Sequence, residues 1–259
     1  MQTIAITREV SATINQCALS FHSRQPIDLA KAIAQHKAYE KCLVELGLKV
    51  VSLPSEPELP DAVFVEDTAL VLDELAVIAN MGAESRRGEV TSIAKALALY
   101  RPLKFLVKPA TLDGGDVLRI GRTLFVGLSR RTNDAGFKQL RELLQPYGYR
   151  VLPVGLRGCL HLKSACCDIG NNTILINRAW VDGTEQFRDF ELLDLPEEEP
   201  AAANALPIAG NLIVPACFPK THHLLEERGF RLRPLDVSEL QKAEAGVTCC
   251  SLIFAEQGT

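Results

Sequence analysis

Short strand-like runs recur along this chain, separated by tight turns and helical patterns, at a period of roughly 40–50 residues. In one copy, strands at 116–120 and 123–126 flank a turn at Gly121-Arg122, and a helix at 134–144 leads to a strand at 150–154. Glycine and asparagine turns favour hairpins, so we expect much of the pairing to be antiparallel. Repeats of this length are typical of propellers and solenoids rather than of a doubly wound sheet.

Other copies of this unit are predicted on both sides of the first. Their segments are strands at 63–64, 69–72 and 76–79 with a helix at 89–100; strands on either side of a turn at Asn171-Asn172, the second at 173–177; and strands at 205–208, 212–214 and 230–235 with a helix at 220–228. The strand Thr3–Arg8, a helix at 28–46 and the strand Lys49–Leu53 begin the chain. An apolar strand at 251–254 is left without a partner, so we expect it to pair with the first strand and close a ring. We predict an α/β fold, and at 259 residues the chain could form one large domain or two small ones.

The composition excludes several kinds of partner. The hydrophobic fraction of 47% is enough for a substantial core, and the net charge of −4 comes from both signs mixed along the chain. That mixture argues against a nucleic-acid or anionic-membrane surface. No apolar run approaches the roughly 18 residues that span a bilayer, and the first residues lack the pattern of a signal peptide. We therefore expect a soluble cytoplasmic protein.

The eight cysteines indicate neither disulfides nor a metal centre. Adjacent cysteines, such as Cys249-Cys250, have a poor geometry for disulfides, and there is no Cys-x-x-Cys. The spacing of Cys159, His161 and Cys166 fits no common zinc pattern. The chain also lacks the glycine-rich motifs that bind dinucleotides and phosphates. We expect no metal and no organic cofactor.

The cysteine pair at 249–250 is a candidate nucleophilic site. Cys249 and Cys250 follow a glycine at the head of an apolar, strand-like run. Side chains alternate across a strand, so only one of the two can face the centre of the ring. Upstream lie His161 and two acidic clusters, Glu66-Asp67 and the run at 113–116. A thiol, an imidazole and carboxylates are the parts of a thiol hydrolase or transferase.

Six segments together resemble the dimethylarginine dimethylaminohydrolases of the guanidino-group-modifying, or pentein, superfamily. They lie in the order of that family and cover nearly the whole chain: 61–67, 82–89, 111–118, 126–133, 160–164 and 246–251. The resemblance implies a five-bladed α/β propeller with a central active site, formed by a single guanidino-group-modifying catalytic domain over residues 1–259. This fold agrees with the repeats and the closed ring inferred above.

The resemblance also implies roles for individual residues. Cys249 would be the nucleophile, His161 the general acid and base, and Asp113 the acceptor that orients the histidine. Asp67, with Glu66, would bind the substrate guanidinium. The remaining substrate-binding residues implied by the family are Arg86 and Arg131 for the α-carboxylate, Asp61 for the α-amine, Leu19 through its backbone carbonyl on a mobile loop at 17–26, and Ala243.

The implied reaction is hydrolysis of asymmetric dimethylarginine or monomethylarginine to citrulline and an amine, through a covalent thiouronium intermediate. The partner would be this small molecule alone, and the chain a monomer or homodimer. Arginine deiminases and amidinotransferases commonly carry an acid two residues after the histidine, where this chain has Lys163. This difference favours a substrate with a methylated nitrogen. An arginine or other guanidine deiminase, or a non-catalytic arginine-binding relative, remain the alternatives.

Overall fold

The structure is a computed structural model that describes residues 2–256, so residues 1 and 257–259 of the predicted domain lie outside the described residues. The strands within that range are β1 (Thr3–Arg8), β2 (Lys49–Leu53), β3 (Ala69–Val71), β4 (Ala76–Ile78), β5 (Leu103–Phe105), β6 (Val117–Ile120), β7 (Thr123–Leu128), β8 (Arg150–Leu156), β9 (Cys166–Gly170), β10 (Thr173–Ile176), β11 (Val181–Asp182), β12 (Glu191–Asp194), β13 (Leu206–Ile208), β14 (Asn211–Pro215), β15 (Leu232–Leu235) and β16 (Leu252–Ala255). The α-helices are α1 (Leu29–Glu45), α2 (Val90–Leu97), α3 (Asp134–Leu144), α4 (Leu162–Ala165), α5 (Pro219–Glu227) and α6 (Ser238–Gln241).

The strands form five small sheets that share one pairing pattern. In the third sheet β6 pairs antiparallel with β7, and β7 pairs parallel with β8 after the crossover helix α3. The pattern recurs in β3-β4-β5, β9-β10-β12 and β13-β14-β15. Parallel neighbours need a long crossover, whereas antiparallel neighbours need only a tight turn. The pseudo-repeat of strand, turn, strand, helix and strand is therefore confirmed for the units β3-β4-β5, β6-β7-β8 and β13-β14-β15, which contain α2, α3 and α5. Between β10 and β12 the chain forms β11 and two short 3₁₀ helices instead of an α-helix.

The first sheet joins the two ends of the chain. Strand β16 pairs antiparallel with β1, with Ile4 opposite Phe254 and Ile6 opposite Leu252. On its other side β1 pairs parallel with β2. The prediction that the last strand closes the ring is confirmed, and the fold is the five-bladed α/β propeller that the repeats and the resemblance led us to expect.

The apolar residues of the described chain are divided among five clusters rather than gathered in one core. Each cluster lies where two successive sheets meet. In one, Ile4 and Ile6 of β1 pack with Ile78 of β4 and Ile93 of α2, all of them fully or almost fully buried. Because the apolar side chains fill these junctions, the centre of the ring is left to polar groups.

Two local predictions were wrong. Residues 63–64 do not form a strand; they lie in a turn that leads into a 3₁₀ helix, Val65–Thr68. Val63 and Phe64 are nevertheless buried, so packing explains the apolar pattern without strand pairing. The cysteines Cys249 and Cys250 lie in a turn before β16 rather than on the strand itself.

The helix ends follow from local chemistry. The Asp28 side chain accepts the Lys31 N–H at 3.0 Å, so α1 begins just after Asp28, and Gly47 follows the helix at a φ of 90°. The short helices α4 and α6 were not predicted, because one turn is too short to show a hydrophobic period. Among residues 2–256, the structure contains no helix long and apolar enough to cross a membrane.

Candidate active site

The acidic pair at the centre of the ring lies on the 3₁₀ helix Val65–Thr68, where both Glu66 and Asp67 are buried. The Glu66 Oε1 atom pairs with Lys163 Nζ at 2.6 Å, and Oε2 accepts the Thr248 hydroxyl at 2.8 Å. Burial raises the pKa of Glu66, although Lys163 opposes this effect. Segments from two other parts of the ring therefore hold this carboxylate in place.

Asp67 has different partners and the opposite shift. Its Oδ2 atom accepts Arg86 Nη1 at 2.7 Å, and its Oδ1 atom accepts the Gly115 N–H at 3.0 Å. Burial acts to raise the pKa of Asp67, but His161 and Arg86 outweigh it and lower this pKa to about 2. A carboxylate can accept about four hydrogen bonds. Glu66 and Asp67 thus keep acceptor positions for a cationic ligand.

His161 lies between two carboxylates. Its Nε2 is 3.2 Å from Asp113 Oδ2, and its Nδ1 is 3.6 Å from Asp67 Oδ1. Burial disfavours the charged ring, but Asp67, Asp116 and Asp113 together raise the pKa of His161 to about 9. The close approach requires a glycine at 115, since a Cβ atom there would lie 2.6 Å from Nδ1. At neutral pH the imidazole is protonated and can act as an acid.

Asp113 also connects the histidine to an arginine. The Asp113 side chain is fully buried, and its Oδ1 accepts the Gly82 N–H at 2.9 Å. Arg131 Nη1 lies 3.6 Å from Asp113 Oδ2, too far for a hydrogen bond, and this buried nitrogen has no hydrogen-bond partner among residues 2–256. Arg131 Nη2 donates to Ser20 Oγ at 3.3 Å. Arg131 therefore offers an unused donor to an anionic group.

Arg86 is more fully occupied. Its Nε and Nη2 atoms donate to the two oxygens of Glu89, each at 2.9 Å, and Nη1 donates to Asp67. Arg86 Nη2 also reaches the Phe64 carbonyl at 3.3 Å. The structure therefore brings Arg86 to the site but directs most of its donors to protein acceptors. Apart from the spacing of three residues between Arg86 and Glu89, no sequence pattern indicates this pairing.

The cysteine pair divides between the site and the core. Cys249 is half-buried, and its Sγ accepts the Gly246 N–H at 3.3 Å. Cys250 is 1% exposed and packs in the apolar cluster with Tyr39 and Val247. Burial raises the pKa of the Cys249 thiol well above its usual range, and the charges of Glu66 and Asp67 raise it further. The thiol is therefore protonated in this structure at neutral pH.

The last three predicted site residues, Asp61, Leu19 and Ala243, lie in or beside the loop at residues 17–26, and we call this region the mouth of the site. Both carboxylate oxygens of buried Asp61 accept the Ala18 N–H, at 3.0 and 3.2 Å. Leu19 is the residue after Ala18, so this bond holds the segment that contains Leu19 beside Asp61. Ala243 is buried in the same apolar cluster against which Leu19 and Cys249 pack. The structure thus brings every predicted site residue to the centre of the ring or to its mouth.

A further carboxylate, that of Asp116, supports the site and was missed as a site residue. Asp116 is fully buried and accepts Ser129 Oγ at 2.6 Å, Thr132 Oγ1 at 2.7 Å and the Leu162 N–H at 3.0 Å. Burial raises its pKa to about 6. These bonds fix the residues beside Arg131 and His161. Its membership of the acidic run at 113–116 was the available signal.

Asn204 links the histidine segment to the cysteine turn. Its Nδ2 donates to the Lys163 carbonyl at 3.1 Å and to Thr248 Oγ1 at 3.0 Å, while its Oδ1 accepts the Thr248 N–H at 3.0 Å. Gly246 packs so closely on Asn204 that a Cβ atom there would overlap the amide. No local pattern marks Asn204, because its partners come from distant parts of the chain.

A group of acidic and imidazole ligands at the centre can attract a cation. Ligand atoms of Asp67, Asp113 and His161 all lie within 4.8 Å of one another, a geometry that could hold a metal ion. An ion there would compete with the protonated ring and with the guanidinium groups of Arg86 and Arg131. A planar guanidinium matches carboxylates through paired, charge-assisted hydrogen bonds.

The ring of five sheets, with a thiol, an imidazole and paired carboxylates at its centre, defines a protein of the pentein class. A solved structure of the N-terminal domain of ArgZ, an arginine dihydrolase from cyanobacteria, has the same fold. It superposes with a TM-score of 0.89 at 19% identity, covering 99% of this chain and 98% of the other. That likeness supports the fold alone.

Sequence comparisons narrow the class to one family. The profile of the family described as "N,N dimethylarginine dimethylhydrolase, eukaryotic" matches residues 2–192. The N(G),N(G)-dimethylarginine dimethylaminohydrolase of Pseudomonas aeruginosa is 35% identical over 251 residues, or 96% of this chain and 98% of the relative. The protein of the same name from Streptomyces coelicolor is 35% identical over 254 residues, or 97% of each chain.

A solved structure gives the same result. The Pseudomonas aeruginosa protein, as a cysteine-to-serine mutant complexed with citrulline, superposes with a TM-score of 0.92 at 32% identity, covering 98% of this chain and all of the other. The chain belongs to the dimethylarginine dimethylaminohydrolase family.

Proposed function

We propose that this protein hydrolyses N-methylated arginines, namely asymmetric dimethylarginine and monomethylarginine, to citrulline and dimethylamine or methylamine. The observation that carries the proposal is the position of the His161 ring between the carboxylates of Asp67 and Asp113, which help to raise its pKa to about 9, in the same site as the Cys249 thiol. These are the acid, the anchoring charge and the nucleophile that cleavage of a guanidinium needs. Relatives over nearly the whole chain are named as dimethylarginine dimethylaminohydrolases.

The substrate guanidinium would lie against Glu66 and Asp67. Both carboxylates are buried, and both keep free acceptor positions beyond those used by Lys163, Thr248, Arg86 and Gly115. A buried carboxylate and a guanidinium form strong, directional hydrogen bonds. This placement would put the guanidinium carbon beside the cysteine turn.

The amino-acid end of the substrate would lie at the mouth. Arg131 has a buried donor that no group among residues 2–256 accepts as a hydrogen bond, and it would bind the α-carboxylate. Arg86 would contribute less, because Asp67 and Glu89 already balance its charge. Asp61 would bind the α-amine, helped by the backbone carbonyls of Leu19 and Ala243. Arg131 is therefore assigned the larger part of carboxylate recognition.

In the first half-reaction, the Cys249 thiolate attacks the guanidinium carbon and forms a C–S bond. The tetrahedral adduct collapses when His161 donates a proton to the methylated nitrogen, and the C–N bond breaks to release the amine. A covalent thiouronium group remains on Cys249. His161 is suited to this step because its pKa of about 9 keeps it protonated at neutral pH.

In the second half-reaction, the now neutral His161 takes a proton from a water molecule as the water attacks the same carbon. The C–S bond of the second tetrahedral adduct then breaks with its electron pair on sulfur, and the proton of the remaining hydroxyl passes to that sulfur. This returns the Cys249 thiol and releases citrulline. Asp113 accepts a hydrogen bond from the ring and holds it in orientation through both steps. One water is consumed for each amine released.

The nucleophile would be ionised with the help of its own substrate. Burial and the neighbouring carboxylates raise the pKa of Cys249 well above its usual range. A cationic guanidinium bound beside the thiol offsets those negative charges and favours the thiolate. The thiol proton leaves to solvent, because His161 already carries its own proton. The thiol is kept protonated, and less reactive, until the substrate arrives.

Lys163 would set the choice between methylated and free arginine. Its ammonium donates a hydrogen bond to Glu66 Oε1 at 2.6 Å. Arginine deiminases and amidinotransferases commonly carry an acid at this sequence position, two residues after the histidine. Free arginine would bring extra N–H donors to a region with one fewer acceptor, at a cost of about 1–3 kcal/mol for each unpaired group. A dimethylated nitrogen has no proton to donate and loses nothing. An arginine deiminase is the second candidate.

A single assay separates these functions. The purified protein is incubated with asymmetric dimethylarginine, monomethylarginine or arginine, and citrulline, methylated amines and ammonia are quantified. We expect a higher kcat/KM for the methylated substrates, with one amine for each citrulline. Equal or better use of arginine, with ammonia released, would establish the deiminase. Binding without turnover would establish a non-catalytic relative.

We further propose that residues 1–259 act as one catalytic domain in the cytoplasm, as a monomer or homodimer. Light scattering of the purified protein would test the oligomeric state, since a larger assembly would contradict it.

A further inference from the structure

The loop at residues 17–26 is held on both sides of Leu19 by carboxylates. On one side Asp61 accepts the Ala18 N–H. On the other side Glu244 accepts three successive backbone N–H groups, those of Ser20 at 3.0 Å and of Phe21 and His22 at 2.6 Å. The loop therefore has one acidic anchor before Leu19 and another after it.

The bond from Ser20 has a geometric consequence for Leu19. The Ser20 N–H and the Leu19 carbonyl belong to the same peptide group, which is planar and trans, so the two point in opposite directions. Because Glu244 fixes the N–H, it directs the carbonyl away from itself. Among residues 2–256, no group donates a hydrogen bond to this carbonyl. Glu244 thus determines the direction of a free backbone acceptor at the mouth.

The backbone conformation at residue 244 is unfavourable for a glutamate. Its φ is 61°, in the left-handed region that glycine adopts most easily. The Glu244 N–H bonds to the Gln241 carbonyl and the Ala245 N–H to the Leu240 carbonyl, so Glu244 occupies the position after α6 where helices usually end in glycine. A strained residue held by its surroundings is a reason to look for a function of its side chain.

We propose that Glu244 is a positioning residue that latches the loop at 17–26 and aims the Leu19 carbonyl at the bound amino-acid group. Two other contacts agree with a seated loop: Arg131 Nη2 donates to Ser20 Oγ, and the Arg130 guanidinium lies 5.4 Å from the centre of the Phe21 ring. The part of this inference that concerns substrate rests on the proposed function. The latch itself does not.

The test uses glycine, which relieves the backbone and removes the side chain. In Glu244→Gly, amide hydrogen exchange at residues 20–22 of the substrate-free protein should quicken, while the melting temperature stays equal or rises. The KM for the methylated arginine should rise about tenfold and kcat should change less, because apparent affinity falls with the fraction of competent loop. Glu244→Gln keeps one acceptor oxygen and should be intermediate in both measurements.

The matched control is Ala209→Gly. Ala209 also has a positive φ, 47°, but it is exposed in the turn between β13 and β14. This control should leave both loop exchange and KM as in the wild type. Unchanged exchange at residues 20–22 in Glu244→Gly and Glu244→Gln would overturn the latch. Faster exchange with an unchanged KM would overturn the aiming of Leu19. If the wild type turns over no methylarginine, the proposed function fails, and exchange still decides the latch.

Discussion

The buried part of the site around Glu66, His161 and Cys249, which we call the floor, is built differently from the mouth. At the floor, side chains from distant segments bond to one another: Glu66 to Lys163 and Thr248, and Asn204 to Thr248. At the mouth, the carboxylates of Asp61 and Glu244 bond instead to the backbone of a single loop. The floor belongs to the sheets and to short segments packed between them, whereas the mouth depends on one connection between β1 and α1.

This difference separates the chemistry from recognition of the amino-acid group. A nucleophile and an acid need fixed positions, which a buried network of side chains provides. A substrate must enter, and a loop attached through a few backbone bonds can open at low cost. We therefore expect changes at the floor to act mainly on kcat and changes at the mouth mainly on KM.

The largest effect should come from the nucleophile. We expect Cys249→Ser to abolish turnover and Cys250→Ser to retain most of it, because Cys249 lies at the site and Cys250 in the apolar cluster. Mass spectrometry of protein trapped with a substrate-like amidine should place the adduct on Cys249. An adduct on Cys250 would reverse the assignment.

The acid at the floor should come next. We expect His161→Ala to lower kcat by about 10²–10⁴-fold, since it removes the proton donor of one half-reaction and the base of the other. Asp113→Asn should cost less, because Asp113 orients the ring without moving the proton. Single-turnover kinetics would separate the two half-reactions. Near-wild-type turnover by His161→Ala would remove histidine from the mechanism.

The protonation of His161 should make the free energy of unfolding depend on pH. The pKa of His161 rises from 6.5 to about 9 on folding, so the folded protein holds this proton more tightly. Its contribution is fully present below pH 6.5 and is lost as the pH rises through about 9, in total about 3 kcal/mol at about 1.4 kcal/mol per unit.

Urea unfolding at pH 6 and pH 9.5 would measure this loss. We expect the wild type to lose more unfolding free energy across that range than His161→Gln, which cannot titrate. Equal losses in the two proteins would show that the neighbouring carboxylates do not raise the pKa of the His161 ring.

The smallest effect should come from the mouth. Asp61→Asn keeps the size of the side chain but removes its charge from the Ala18 N–H and from the proposed α-amine site. We expect KM to rise about tenfold, since a charge-assisted hydrogen bond is worth roughly 1.5–3 kcal/mol, while kcat changes less. Steady-state kinetics decide this. A fall in kcat with an unchanged KM would mean that the mouth and the floor are not separate.

Local sequence patterns are enough to predict some strands but not others. The predicted strands Thr3–Arg8 and Lys49–Leu53 agree with β1 and β2, because apolar runs between turns are local signals. Residues 63–64 carry the same kind of run but form a turn, because burial of Val63 and Phe64 needs no strand partner. The choice of Cys249 rested on the family motif and on strand alternation. The cysteines lie in a turn, so packing of Cys250, and not alternation, separates them.

The sequence by itself determined the repeated unit, the ring that the last strand closes, and the residue types available for chemistry, because these depend on periodicity and turn residues along the chain. Only the tertiary structure decided the partners: Lys163 for Glu66, Asn204 for Thr248, and Glu244 for the loop at 17–26. Each of these pairs joins residues far apart in the chain. Buried charges and polar groups bond to the partners that the fold brings within hydrogen-bonding distance. A local sequence pattern does not show which distant residues will lie that close.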